Sequence, residues 1–187
     1  MKYLYSLLVL VLLGSCGEVV NEYCPYESSI NLTGIYTTRL RALQSAMSGV
    51  NTFAVLSQSE YQDKAYVVRA TSADGKVTDA VPVDFERTRC VLGLQNNKGV
   101  IVGKSSFRDE NLYVFDRVCP NCYQDFRNTQ YTLSFEPNGI DVSCSKCKRT
   151  YSLLNGGLVI SGANGQKLFR YRAGITGIDR STFYINN

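Results

Sequence analysis

The sequence predicts an all-β fold of antiparallel strands, and three observations carry that prediction. Short runs rich in Val, Ile, Tyr, Phe and Thr recur along the chain, as in NTFAVLS, KAYVVRA, VIVGKSS and NLYVFD. Clusters of Gly, Asn, Asp and Ser separate these runs and supply turns. No stretch sustains the apolar period of a long amphipathic helix.

At the N-terminus the chain reads MKYLYSLLVLVLLGSC, with Lys2, an apolar run from Leu7 to Leu13 and small residues leading into Cys16. The run is far shorter than the roughly 20 apolar residues that span a bilayer as a helix, so residues 1–15 read as an export signal. Leu13-Gly14-Ser15-Cys16 resembles the lipobox of bacterial lipoproteins. That resemblance implies that Cys16 becomes an acylated first residue and that the protein sits in the bacterial cell envelope, on the periplasmic or outer-membrane face. The alternative is an ordinary secretory signal with a cysteine at its cleavage site. Residues 16–28 then form a tether, and residues 29–187 suffice for one β domain. Lys and Arg number 20 against 16 Asp and Glu, a mild excess that, together with export, excludes nucleic acid as a partner.

Within the domain, the one helical candidate is TRLRALQSAMSG, where Leu40, Leu43 and Met47 share a face between Thr38 as N-cap and Gly49 past the end. Further on, Tyr131, Leu133 and Phe135 alternate with polar residues before Glu136-Pro137-Asn138-Gly139, and Ile140 and Val142 alternate after it. A four-residue loop would pair Phe135 with Ile140, Leu133 with Val142 and Tyr131 with Cys144, keeping the apolar set on one face.

This hairpin separates two Cys-x-x-Cys pairs, Cys119/Cys122 and Cys144/Cys147. Two such knuckles can supply four thiolates to one tetrahedral ion, and a chain return bringing them together would make a small metal-binding, zinc-ribbon-like subdomain over about residues 117–165. Arg117, Arg127, Lys146, Lys148 and Arg149 surround the motif; they either offset thiolate charge or form a solvated surface. A thioredoxin-like dithiol would place its first cysteine at a helix start, whereas the residues after both pairs read as strand. Disulfides inside each pair are permitted by an oxidising envelope but leave the matched spacing unexplained. Cys24 and Cys90 stand apart and form either a structural disulfide or free buried thiols.

The segments VFDRVCPNC and VSCSKCKRTYSLLNGGLVISGANGQKLFRY resemble a Rieske-type domain and, more closely, the Rieske-like lipoproteins of bacterial envelopes. The likeness covers about residues 112–172 and implies a Rieske-like antiparallel β-sandwich or barrel. Cys119 and Cys144 match the two cysteine ligands of the family. Asn121 falls where its first histidine belongs and Cys147 where its second does, while Tyr151, Gly156, Gly157, Gly162, Leu168 and Tyr171 follow the pattern downstream. With no histidine in the chain, mixed Cys/His ligation of an iron–sulfur cluster cannot form. The set Cys119, Cys122, Cys144 and Cys147 suits zinc first, then a single iron as in rubredoxin or a 2Fe-2S cluster. Knuckles of the rubredoxin type usually carry glycine after the second cysteine, where Tyr123 and Lys148 stand here; that departure favours zinc.

The absence of histidine removes Ser-His-Asp and Cys-His catalysis, and no motif places two carboxylates as acid and base. GGLVISGANG lacks the Lys-Ser/Thr end of a phosphate-binding loop. The sequence therefore points to a lipid-anchored protein with a structural zinc site and a binding or scaffold role, or alternatively to an electron-transfer protein holding iron on the same cysteines. Its expected partners are the membrane, through the lipid anchor, and an unidentified protein or small molecule.

Overall fold

The computed structural model describes residues 22–60, 65–84, 90–106, 112–177 and 181–187. The export signal, Cys16 and the first part of the tether lie outside the described residues.

The described chain is all-β, with antiparallel sheets. Strands β1 (Ser29–Leu32), β12 (Ala173–Thr176) and β13 (Thr182–Asn186) form a three-stranded sheet in the order β1-β13-β12. The largest sheet contains β2 (Phe53–Glu60), β3 (Ala65–Ser72), β4 (Thr78–Asp84), β5 (Val100–Lys104), β6 (Leu112–Asp116) and β11 (Arg170–Tyr171), in the order β11-β6-β5-β2-β3-β4. The third sheet joins β7 (Leu133–Phe135), β8 (Asp141–Cys144), β9 (Thr150–Ser152) and β10 (Leu158–Ser161), in the order β10-β9-β8-β7.

The period of two sorts the side chains of the large sheet into two cores. Ala54, Leu56, Val100, Val102 and Val114 face one core, and Phe53, Val55, Ile101, Tyr113 and Phe115 face the other. Burial on both sides explains why β5 and β6 are apolar without alternation. Two short helices, α1 (Gly34–Thr37) and α2 (Arg41–Ser48), precede the large sheet, and α2 lays Leu43, Ala46 and Met47 into the first core. The N-cap residue of α2 is Leu40 rather than the expected Thr38. Thr38 is already used: its N–H bonds the Gly34 carbonyl and closes α1, while Leu40 is fully buried.

Leu133, Val142, Tyr151 and Leu153 from the β7–β10 layer close the second core. The β7–β8 hairpin keeps the expected faces but not the expected partners: Phe135 pairs with Val142 and Leu133 with Cys144. The turn takes up two more residues than a four-residue loop. Gly139, at φ +70°, donates to the Glu136 carbonyl, Glu136 bonds Asp141, and the Asn138 Oδ1 accepts the N–H groups of Ile140 and Asp141. A shift of two preserves the face because the strand period is two.

Residues 22–28 do not hang free from the domain. The Cys24 N–H bonds the Arg170 carbonyl, the Asn187 side-chain amide donates to the carbonyls of Cys24 and Tyr26, and the Tyr26 ring packs edge-on against Tyr123 and Phe169.

Candidate metal centre

At the end of β6 the fully buried Asp116 carboxylate accepts the N–H groups of Val118 (2.6 Å) and Leu94 (2.7 Å) and the hydroxyl of Tyr171 (2.6 Å). Capture of the Val118 N–H two residues on turns the chain out of the strand. Beyond it, the Cys119 N–H bonds the Tyr131 carbonyl at 2.8 Å and the Leu133 N–H bonds the Arg117 carbonyl at 2.8 Å, which docks the first cysteine beside the β7–β8 hairpin.

A helix, α3 (Pro120–Phe126), then follows with Cys119 as its N-cap residue, where the sequence reading had placed a strand. Pro120 sits at the first helical position, where a missing N–H costs nothing. One turn brings Cys122 onto the face of Cys119. The second pair adopts a tight turn, with the Lys148 N–H on the Cys144 carbonyl and the Cys144 N–H on the Arg149 carbonyl. Lys148 holds φ +59° where glycine was expected, so the knuckle forms at a strain of about 1 kcal/mol or more.

The four sulfurs converge within 4.8 Å of one another. Cys119 and Cys147 Sγ are 3.6 Å apart and Cys122 and Cys144 Sγ are 3.7 Å apart, each contact joining the two knuckles. All four are free cysteines; three are buried and Cys147 is half-buried. Tetrahedral thiolates at about 2.3 Å from one ion lie about 3.8 Å from each other, so the donor set fits a single metal ion.

Several polar groups fix the sulfurs. The Tyr151 hydroxyl lies 3.3 Å from Cys119 Sγ and accepts from the Asn121 Nδ2 at 2.9 Å. Asn121 also donates to the Gln166 carbonyl and accepts its N–H, clamping the loop after β10 over the site. Gly165 permits this approach, since a Cβ there would stand 2.3 Å from the Asn121 Oδ1. Arg149 donates to the carbonyls of Ala163 and Asn164 and to Cys147.

These surroundings separate the thiols. Burial pushes Cys119 up to about 11, against the opposing bonds from Tyr151 and the Cys122 N–H. Burial also raises Cys122, reinforced by its sulfur neighbours. For Cys147 burial acts upward too, but the N–H and guanidinium of Arg149 and the adjoining thiols outweigh it and bring the group down to about 7. The sequence set the dithiol reading aside because strand was expected after both pairs; Cys119 does start a helix, but it is buried and its thiol is raised, which is unlike the exposed, acidic first cysteine of a thioredoxin-like dithiol.

Of the basic residues flagged in the sequence, Arg149 reaches a sulfur. Arg117 instead donates to the carbonyls of Leu133 and Lys98, Arg127 lies over the Tyr123 ring, and Lys146 lies over Phe126 and Tyr131. Cys24 and Cys90 remain free thiols against the first core; burial raises both, Cys90 to about 12, and Cys24 hydrogen-bonds Tyr171. Asp116, Tyr26 and the Gln166 clamp escaped the sequence reading, because their partners lie far away along the chain.

No family model matches this chain, and no curated protein matches it. The functional reading rests on the sequence and the site.

Proposed function

We propose that this protein is a lipid-anchored, Rieske-like component of the bacterial envelope in which Cys119, Cys122, Cys144 and Cys147 hold one divalent metal, zinc in preference to iron, as a structural centre. Its role is binding or scaffolding. The observation that carries the metal reading is the convergence of four sulfurs from two knuckles, with cross-knuckle contacts of 3.6 and 3.7 Å. Four thiolates saturate a tetrahedral ion and leave no open position for substrate, which is the donor arrangement of structural rather than catalytic zinc.

The chain's own residues supply the rest. The Tyr151 hydroxyl donates to the Cys119 thiolate, Arg149 offsets charge at Cys147, and Asn121 holds Tyr151 in place. A bound ion would tie α3 to the β8–β9 turn. The Rieske-like reading is supported by Cys119 and Cys144 occupying the family's cysteine positions, and the anchor by the Leu13-Gly14-Ser15-Cys16 motif.

Elemental analysis of protein purified without added metal tests the centre, together with Cys119→Ser and Cys147→Ser. Stoichiometric zinc, lost in both variants with faster hydrogen exchange over residues 117–165, is the expected result. Stoichiometric iron with visible absorption would transfer the protein to electron transfer, and metal-free wild type would overturn both readings. Intact-mass analysis of wild type and Cys16→Ala tests the anchor: the acyl mass must be present in the first and missing from the second.

A further inference from the structure

The described chain begins at Glu22, on one patch of the domain. Glu22 pairs with Arg170, whose guanidinium lies 5.2 Å from the Tyr23 ring and 4.3 Å from the Tyr113 ring, and the Arg172 guanidinium lies 5.0 Å from the Tyr23 ring. This stack fixes where the chain leaves the domain toward Cys16. Five residues lie between Cys16 and Glu22, and the six steps along the chain reach at most about 21 Å when fully extended. A domain of this size has a diameter of roughly 40 Å, so a lipid at Cys16 keeps Glu22 within about 21 Å of the bilayer plane, and the surface that can rest on it is the half of the domain within about 90° of Glu22.

Within that half, one patch beside Glu22 has the chemistry of an interfacial surface. Leu158 lines the same cleft as Glu22, Lys167 and Arg170, yet is 47% exposed, and Ile160, two residues on in β10, is 52% exposed. Arg172 is exposed and Lys167 half-exposed beside the same stack, while the Arg170 charge is paired with Glu22. Apolar side chains among cations and a tyrosine suit the boundary between acyl chains and anionic headgroups. β10 is also the free edge of its sheet, but its register shifts between Val159 and Ser161, and such a bulge blunts an edge against pairing with another strand.

We propose that the face formed by Leu158, Ile160, Lys167, Arg172 and Tyr23 lies against the bilayer that carries the Cys16 lipid, holding the domain in one orientation. This inference rests on the lipid-anchor reading above.

The chain contains no tryptophan, so a single one is a clean depth reporter. Leu158→Trp and, as the distant control, Lys76→Trp would be made in the full lipidated chain. Lys76 lies in the β3–β4 turn, four to five strand spacings or roughly 19–24 Å across the large sheet from β11. Both proteins are inserted into phosphatidylcholine–phosphatidylglycerol vesicles carrying lipid brominated near the top of the acyl chain, after unchanged metal content and thermal midpoint confirm the fold. Leu158→Trp should be quenched several-fold more than Lys76→Trp, and Lys167→Glu with Arg172→Glu should reduce that difference in anionic vesicles. Equal quenching of the two reporters in chains whose mass shows the acyl group would overturn the orientation while leaving the anchor standing. Quenching absent but replaced by a concentration-dependent blue shift at Leu158→Trp would also overturn it, in favour of a second copy. A chain that carries no lipid would remove the anchor and the orientation together.

Discussion

Replacing Asn121 with Ala tests the clamp over the cysteine site. Asn121 is 6% exposed and makes three hydrogen bonds, at 2.9 Å to the Tyr151 hydroxyl, 3.0 Å to the Gln166 carbonyl and 2.9 Å from the Gln166 N–H. At about 1 kcal/mol for each intramolecular bond the loss is about 3 kcal/mol at most. Gln166 is exposed, so water can recover part of its two bonds, whereas the fully buried Tyr151 hydroxyl keeps only its contact with Cys119. The expected net cost is therefore about 2 kcal/mol, and at 2–4 °C per kcal/mol the thermal midpoint should fall by about 4–8 °C. Loss of a group that orients a metal-bound residue should also weaken metal binding by about 10–100-fold. Calorimetry, a competitive chelator titration and hydrogen exchange at the Gln166 amide read the three effects. An unchanged Gln166 exchange rate with a midpoint within 2 °C or so of wild type would refute the clamp, because the lost bonds would then have contributed nothing.

Three further outcomes follow from the thiols and the buried carboxylate. Burial raises the Asp116 carboxyl despite its three donors, so its folded value lies above its unfolded one near 3.9; the stability it allows below that value is lost as pH rises through the folded value. Urea melts between acid and neutral pH should show wild type losing stability relative to Asp116→Asn as pH rises, and parallel curves would refute the raised value. In metal-free protein at pH 7, iodoacetamide should alkylate Cys147, at about 7, well ahead of Cys119, at about 11; equal rates mapped by mass spectrometry would contradict the Arg149 contact. Denatured, unreduced, metal-free protein should be labelled at both Cys24 and Cys90, since both are free thiols, and protection of both would show a disulfide.

What the sequence disclosed and what it concealed divide along the range of the interactions. The faces of Leu133, Phe135 and Val142 were legible because strand period is a local property, whereas their register depended on how many residues the turn after Glu136 consumed. The four cysteines were legible from spacing alone. Helix α3 was not: its proline at the first position was the available signal, but Tyr123 and Phe126 favour strands and no acidic residue marks its first turn. Lys148 shows a second limit, since tertiary contacts hold it at a positive φ that local preference assigns to glycine. The joining of Asp116 to Tyr171, and of Tyr26 to Tyr123, depends on residues distant in the chain and leaves no periodic trace.

The placement of the outer strands has a mechanical consequence. Ser29 opens β1 opposite Asn186 at the close of β13, and the Asn187 amide holds the carbonyls of Cys24 and Tyr26. A pull applied between Glu22 and Asn187 therefore loads both strands from the same end, so their ladder peels open rung by rung rather than resisting in shear. The Glu22–Arg170 pair, the Cys24 bond to Arg170 and the Asn187 bonds are loaded before the Ser29–Asn186 pair, and the last rung is Leu32 with Phe183. The strands of the cysteine layer pair among themselves in a separate sheet, and the pulled segment touches that layer through the Tyr26–Tyr123 ring contact rather than through a ladder rung. Under tension the domain would lengthen at its outer sheet while the sulfurs stay together.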